Sequence, residues 1–274
     1  MKIEHRICTS DIRFRCLLDE HNIPYKQHNS DFSILKICES DPKWPVVNKY
    51  IAANDIFSVI TLKFSQSEMD NAEWFVMRSK WHWEYPMPDN NGGYINLVYN
   101  IDNWCKDCGS GFVQKDLFRI RKSPKWGNKH FLMLNWVEDE LFISEKAKQV
   151  LNNSSLKGFE FLNVLKAKSE TKLDDIYQLK ITETLQSCFL PIKENIKKQT
   201  KCPICGATKY IPSGKGYSFN EKLLNNNVDI VKTSEKFGAG ALSANKILVS
   251  KGFYKTILAN KLDRGLEFIP INLN

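Results

Sequence analysis

The chain has 274 residues, 42% hydrophobic and 26% charged, with a formal net charge of +8. That is the composition of a folded globular protein, long enough for one large core or two small ones, and it excludes a disordered or fibrous chain. There is no apolar run of ~18 residues to span a membrane, and Met1 to Arg6 lack the apolar stretch of a secretory signal, so the sequence predicts a cytoplasmic protein with no membrane partner.

The first hundred residues read as a mixed α/β region. Asp11 to Asn22 has helical spacing, with Ile12, Cys16 and Leu17 on one face and Pro24 as the stop. Phe32 to Cys38 is read as a strand, Asp41 to Pro45 as a loop, and Ile56 to Phe64 as a second, buried strand. Ser65 or Ser67 then caps a helix with Glu68 and Asp70 in its first turn, where carboxylates favour the positive end of the dipole. Met69, Ala72, Trp74, Phe75, Val76 and Met77 carry its apolar surface to about Lys80. Trp81-His82-Trp83 follows; such aromatics plug a core, while the same triplet in the open would stack on bases. Tyr94 to Ile101 is read as a strand leading to Trp104.

Two CxxCG knuckles come next. Cys105-Lys106-Asp107-Cys108-Gly109 and Cys202-Pro203-Ile204-Cys205-Gly206 are separated by 93 residues. A CxxC turn sets two sulfurs on one side of a tight loop, and the following Gly lets the backbone fold beneath them at φ > 0. Two such turns supply the four ligands of a closed tetrahedral zinc site, which predicts one structural Zn²⁺ held by Cys105, Cys108, Cys202 and Cys205. Redox CxxC pairs are the competing reading, but turn-like Gly109-Ser110-Gly111 and Gly206-Ala207-Thr208 stand where a thioredoxin helix would begin. Cys8, Cys16, Cys38 and Cys188 are isolated and read as small core thiols. The remote spacing makes the metal a staple within one body, because loop closure costs little more for a long loop than for a short one.

The knuckle segments are also the basic ones. Residues 106–130 carry seven Lys/Arg against Asp107 and Asp116, and residues 191–222 seven Lys against Glu194 and Glu221. Such a surface suits an acidic partner, whether nucleic acid or protein. Each knuckle precedes a similar stretch. LFISEKAKQVLNNSSLKGFEF begins at Leu141 and ILVSKGFYKTILANKLDRGLEF at Ile247, with Ser144 matching Ser250 and Gly158-Phe159-Glu160-Phe161 matching Gly265-Leu266-Glu267-Phe268. Each reads as a strand, a Ser-capped helix, a Gly turn and a second strand. The predicted fold class is therefore α+β: residues 1–100 as the N-terminal region, then two divergent modules, 101–190 and 191–274, stapled by the knuckle pair.

Between the copies, Tyr177, Leu179 and Ile181 alternate as in a strand, and Pro191 to Thr200 is a Lys-rich lead-in. Ser213-Gly214-Lys215-Gly216 lacks the spacing of a phosphate-binding loop. Glu138-Asp139-Glu140 reads as a solvated acidic turn, and His82 and His130 as hydrogen-bonded structural imidazoles. No catalytic or cofactor-binding constellation is present, so the sequence predicts a protein that is not an enzyme.

The two knuckles, CKDCG and CPICG, and the module after each resemble the double-CXXCG motif family over roughly residues 95–274. That resemblance implies a bacterial immunity protein that neutralises a toxin by protein–protein contact, with the four cysteines as zinc ligands and Gly109 and Gly206 as turn glycines. The basic charge then implies a toxin with an acidic or neutral surface. The alternative is a nucleic-acid-binding zinc protein using the basic knuckle loops, with Trp126, Tyr210 or Tyr217 stacking on bases.

Overall fold

Alternating apolar residues build the first sheet. His5 and Ile7 of Lys2–Thr9 turn inward, as do Leu35 and Ile37 of Ser33–Cys38, and the strands pair antiparallel with Ile7 opposite Leu35. In this computed structural model, which describes residues 1–28, 31–224 and 227–274, the sheet order is Lys26–Gln27, Ser33–Cys38, Lys2–Thr9, Ser58–Lys63. Helix α1 (Ile12–Glu20) starts at Asp11, whose carboxylate accepts the Arg13 N–H at 2.9 Å. Helix α2 (Trp44–Ala53) and α1 both pack on the Ile7–Leu35–Ile37 face. These elements form one of two compact units, Met1–Asn71; the other is Ala72–Asn274.

Several sequence readings change in the first unit. The buried face of α1 is Phe14 and Leu18, while Ile12 and Cys16 are exposed. Both pairs have i,i+4 spacing, and only the tertiary contact chooses between them. Trp44 and Pro45 begin a helix rather than lie in a loop, since a proline in the first turn forfeits no helical hydrogen bond. Ser58–Lys63 is an edge strand with no fully buried residue, and Phe57 and Val59 beside and within it face outward. Helix α3 (Gln66–Asn71) has the capping box formed by Ser65 and Glu68, but stops at Asn71.

The apolar run after α3 is a strand. Trp74, Phe75, Val76 and Met77 are all buried, so Trp74–Ser79 is covered on both faces, as a central strand requires. It pairs antiparallel with Ile247–Ser250 on one side and Leu266–Pro270 on the other, and Ile230–Lys232 completes a four-stranded sheet. A short apolar run does not tell helix from strand by periodicity, which is why the helical reading fails here. Tyr94 to Ile101 errs the opposite way. Helix α4 (Gly93–Val98) buries Tyr94 and Val98, and only Tyr99–Asn100 is extended.

The second large sheet runs His82–Trp83, Phe131–Leu134, Leu141–Ser144, Lys172–Ile181, Phe159–Lys166, Arg119–Ile120. Helix α5 (Glu145–Asn152) joins Leu141–Ser144 to Phe159–Lys166, and helix α6 (Lys251–Ala259) joins Ile247–Ser250 to Leu266–Pro270. In both cases the joined strands flank an antiparallel middle strand: Lys172–Ile181 in one sheet, Trp74–Ser79 in the other. Ser144 Oγ caps α5 by accepting the Ala147 N–H at 3.3 Å, and Ser250 Oγ caps α6 through Phe253 at 3.1 Å. Among the described residues no helix is long and apolar enough to cross a membrane.

Candidate metal centre

Each knuckle occupies the loop of an antiparallel strand pair. The first lies between Tyr99–Asn100 and Val113–Gln114, the second between Ile196–Lys201 and Thr208–Pro212. Their backbones are built alike. The Gly109 N–H donates to Cys105 O at 2.8 Å and the Gly206 N–H to Cys202 O at 3.0 Å. The Cys105 N–H donates to Ser110 O and the Cys202 N–H to Ala207 O. Gly109 and Gly206 sit at φ +77° and +74°, in the left-handed region where a β-carbon is strained.

The four sulfurs converge within 4.8 Å of one another, with Cys105, Cys108 and Cys202 buried and Cys205 exposed. Cys105 Sγ lies 3.8 Å from Cys202 Sγ, and Cys108 Sγ 3.5 Å from Cys205 Sγ. Those separations are far beyond a disulfide bond of about 2.05 Å. Thiolates placed tetrahedrally about 2.3 Å from a metal are about 3.8 Å apart, so the donor set fits a bound metal ion. Burial opposes ionisation of the Cys108 thiol, but hydrogen bonds from Ser110, Cys205 and Cys105 outweigh it and bring the pKa down to about 6. Cys205 is pushed up: the Ala207 N–H favours its thiolate, but the Cys108 sulfur and burial oppose it more strongly. Two sulfurs this close do not both ionise readily without a cation between them.

Lys209 braces the site from behind. Its side chain is buried and its ammonium donates to the carbonyl of Cys108 at 2.9 Å, to Leu242 O at 3.0 Å and to Gly240 O. Ser110 Oγ meets Ser243 Oγ at 2.8 Å, so the 240–243 loop is tied to the first knuckle twice. Nothing in the sequence separates Lys209 from the other lysines of its basic segment; only its place one residue into the strand after the knuckle turns it inward.

The remaining candidates are dispersed. Trp126 packs on Trp81 with ring centroids 5.4 Å apart, and its indole N–H donates to Asp175 O. Tyr210 and Tyr217 both pack against Phe237. Trp81 and Trp83 pack against the core of the larger sheet, while His82 is exposed. His130 Nδ1 lies 2.9 Å from Ser144 Oγ. Of the basic residues, Arg119 is buried like Lys209 and is held by Glu170 at 2.7 Å. Cys188 is buried, whereas Cys8 and Cys16 are exposed rather than core thiols.

Within Glu138-Asp139-Glu140, Glu138 is exposed and Asp139 half-buried, but Glu140 is not solvated, contrary to the sequence reading. Glu140 is 4% exposed; its Oε1 accepts from Lys232 at 2.6 Å and its Oε2 from Gln178 at 2.9 Å. A buried carboxylate needs such partners, and Lys232 and Gln178 come from strands that the linear sequence does not place beside it. No protein-family model matches the chain, and no curated protein matches it.

Proposed function

We propose that this chain is a zinc-stapled immunity protein that binds a cognate bacterial toxin and neutralises it by direct contact. The observation that supports this reading is the convergence of the two CxxCG knuckles on one compact set of four sulfurs. Four thiolates favour zinc among the common divalent ions and leave no open position for a substrate, which makes the ion structural. In this reading the two strand–helix–strand units are divergent copies of one module, each contributing half of the site. Their matching Ser caps and their matching placement around an antiparallel middle strand support that relationship. The toxin-binding role itself rests on the resemblance carried by the knuckles and modules, and the positive charge favours an acidic or neutral toxin surface.

The test is a tagged pull-down from the native cell at moderate salt with nuclease treatment. A stoichiometric protein encoded beside this gene, toxic alone and harmless when co-expressed with this chain, supports the proposal. Recovery of nucleic acid alone, lost on nuclease treatment, overturns it in favour of the nucleic-acid-binding alternative.

A further inference from the structure

A second, polar site lies beside the first knuckle and is independent of the toxin-binding reading. A cavity of about 370 Å³ is lined by Gly109, Tyr99, Glu140 and three lysines, Lys180, Lys232 and Lys236. That volume falls in the range of small-molecule pockets. The charges around it do not balance. Asp139 and Glu140 also face the cavity, and Lys232 absorbs both, pairing with Glu140 at 2.6 Å and Asp139 at 3.9 Å. Lys180 donates to Gln114 Oε1 at 2.9 Å and stands 4.0 Å from Glu140. Lys236 is left with a neutral partner, Asn245 Oδ1 at 2.8 Å, and among the described residues no carboxylate pairs with it within 4.0 Å.

The surplus cation is held in place. Asn245 donates its side-chain amide to Thr233 O and Glu235 O, and its backbone N–H donates to Asp139 at 3.0 Å, so the group that positions Lys236 is itself fixed. Burial disfavours the Lys236 ammonium; Asp139 draws its pKa back up, Lys232 pushes it further down and Glu140 opposes that, leaving it below the usual lysine value. A partly desolvated ammonium with no carboxylate in direct contact is a group that a bound anion complements. Tyr99 also lines the cavity, its ring packed against Phe112 and Phe118. Burial, with Glu140 and Asp139 nearby, raises its pKa well above 10, so it remains a donor at neutral pH.

We propose that this cavity binds a small molecule bearing a carboxylate or phosphate group, with Lys236 as counter-ion and the Tyr99 hydroxyl as a second donor. The test uses the 274-residue chain purified with zinc present. Thermal unfolding is followed while inorganic phosphate or succinate is titrated against sodium chloride at matched ionic strength. A saturable rise in midpoint with either anion, absent with chloride, is the expected result; phosphate alone identifies a phosphoryl ligand and succinate alone a carboxylate. Lys236→Met weakens the apparent affinity by on the order of tenfold or more. Ser234→Asp does the same by placing a carboxylate at the exposed rim, and it decides the question if the Lys236 variant does not fold. Lys193→Met, at an exposed lysine outside the cavity, leaves the response unchanged. No saturable shift with either anion, or a shift that persists at wild-type strength in the folded variants, overturns the proposal.

Discussion

Lys209 reaches from the strand after the second knuckle to the carbonyl of Cys108 in the first, with Nζ 2.9 Å from the oxygen. The two halves of the candidate metal centre are thereby joined by a direct hydrogen bond as well as by the convergence of their sulfurs. An ammonium has three donors, and here it meets three carbonyls, those of Cys108, Gly240 and Leu242. Lys209→Met keeps most of the volume and leaves the buried Cys108 carbonyl, with those of Gly240 and Leu242, without their charged donor. The expected cost is about 3 kcal/mol in urea unfolding, with faster loss of metal to a chelator. A wild-type midpoint in this variant would mean that water or the 240–243 loop replaces the ammonium.

The two knuckle glycines separate strain from crowding. An added β-carbon at Gly109 would lie 1.9 Å from Ala241 O, whereas at Gly206 the nearest atom is Lys201 Cε at 4.0 Å. Both residues share a positive φ. Gly206→Ala is therefore expected to cost only the left-handed backbone penalty, about 1 kcal/mol. Gly109→Ala must also displace the loop backbone and is expected to cost at least twice as much. Chemical denaturation of the two variants side by side checks this, and equal losses would show that the 239–243 loop yields freely.

What could be read from the sequence follows from how local each signal is. The knuckle turns are set by five consecutive residues each, and the Ser144 and Ser250 caps by four, so sequence alone located them. The α1 face, the Trp74–Ser79 strand and the buried Glu140 depend on partners far along the chain. Trp74–Ser79 has helix-compatible spacing until Ile247–Ser250 and Leu266–Pro270 claim its two edges. Glu140 stands in an acidic triplet that looks solvated until Lys232, 92 residues later, arrives beside it. The charge surplus at Lys236 was equally invisible, because it is a count over side chains drawn from several strands.

The proposed zinc staple makes a quantitative expectation. Purified protein should carry one zinc per chain, and cobalt substitution should give the absorption of a tetrahedral four-thiolate site. Cys202→Ser should lose the ion, because three remaining thiolates with one cysteine already exposed hold it weakly. Its thermal midpoint should match that of chelator-treated wild type, and chelator should have no further effect on the variant. An additional drop in the variant on chelation would place the stabilising metal elsewhere.

His130 gives the fold an acid-sensitive point apart from the thiolates. Its Nδ1 lies 2.9 Å from Ser144 Oγ, the atom that caps α5. Burial first, and then the nearby Lys146 charge, disfavour the imidazolium and hold the pKa below its ordinary 6.5. Above pH 6.5 the ring is neutral in both folded and unfolded chains, and the cap contact contributes fully. As the pH falls below 6.5 the unfolded chain takes up a proton that the folded ring resists, so stability declines until the pH passes the lower, folded value and the loss levels off. Urea unfolding at pH 7.5 and 5.5 should therefore show a larger loss for wild type than for His130→Gln, whose side chain does not titrate. The comparison subtracts the acid lability of the candidate metal centre, which both proteins share. If the two lose stability equally between those pH values, the imidazole contributes no acid sensitivity, and the Ser144 cap tolerates a protonated neighbour.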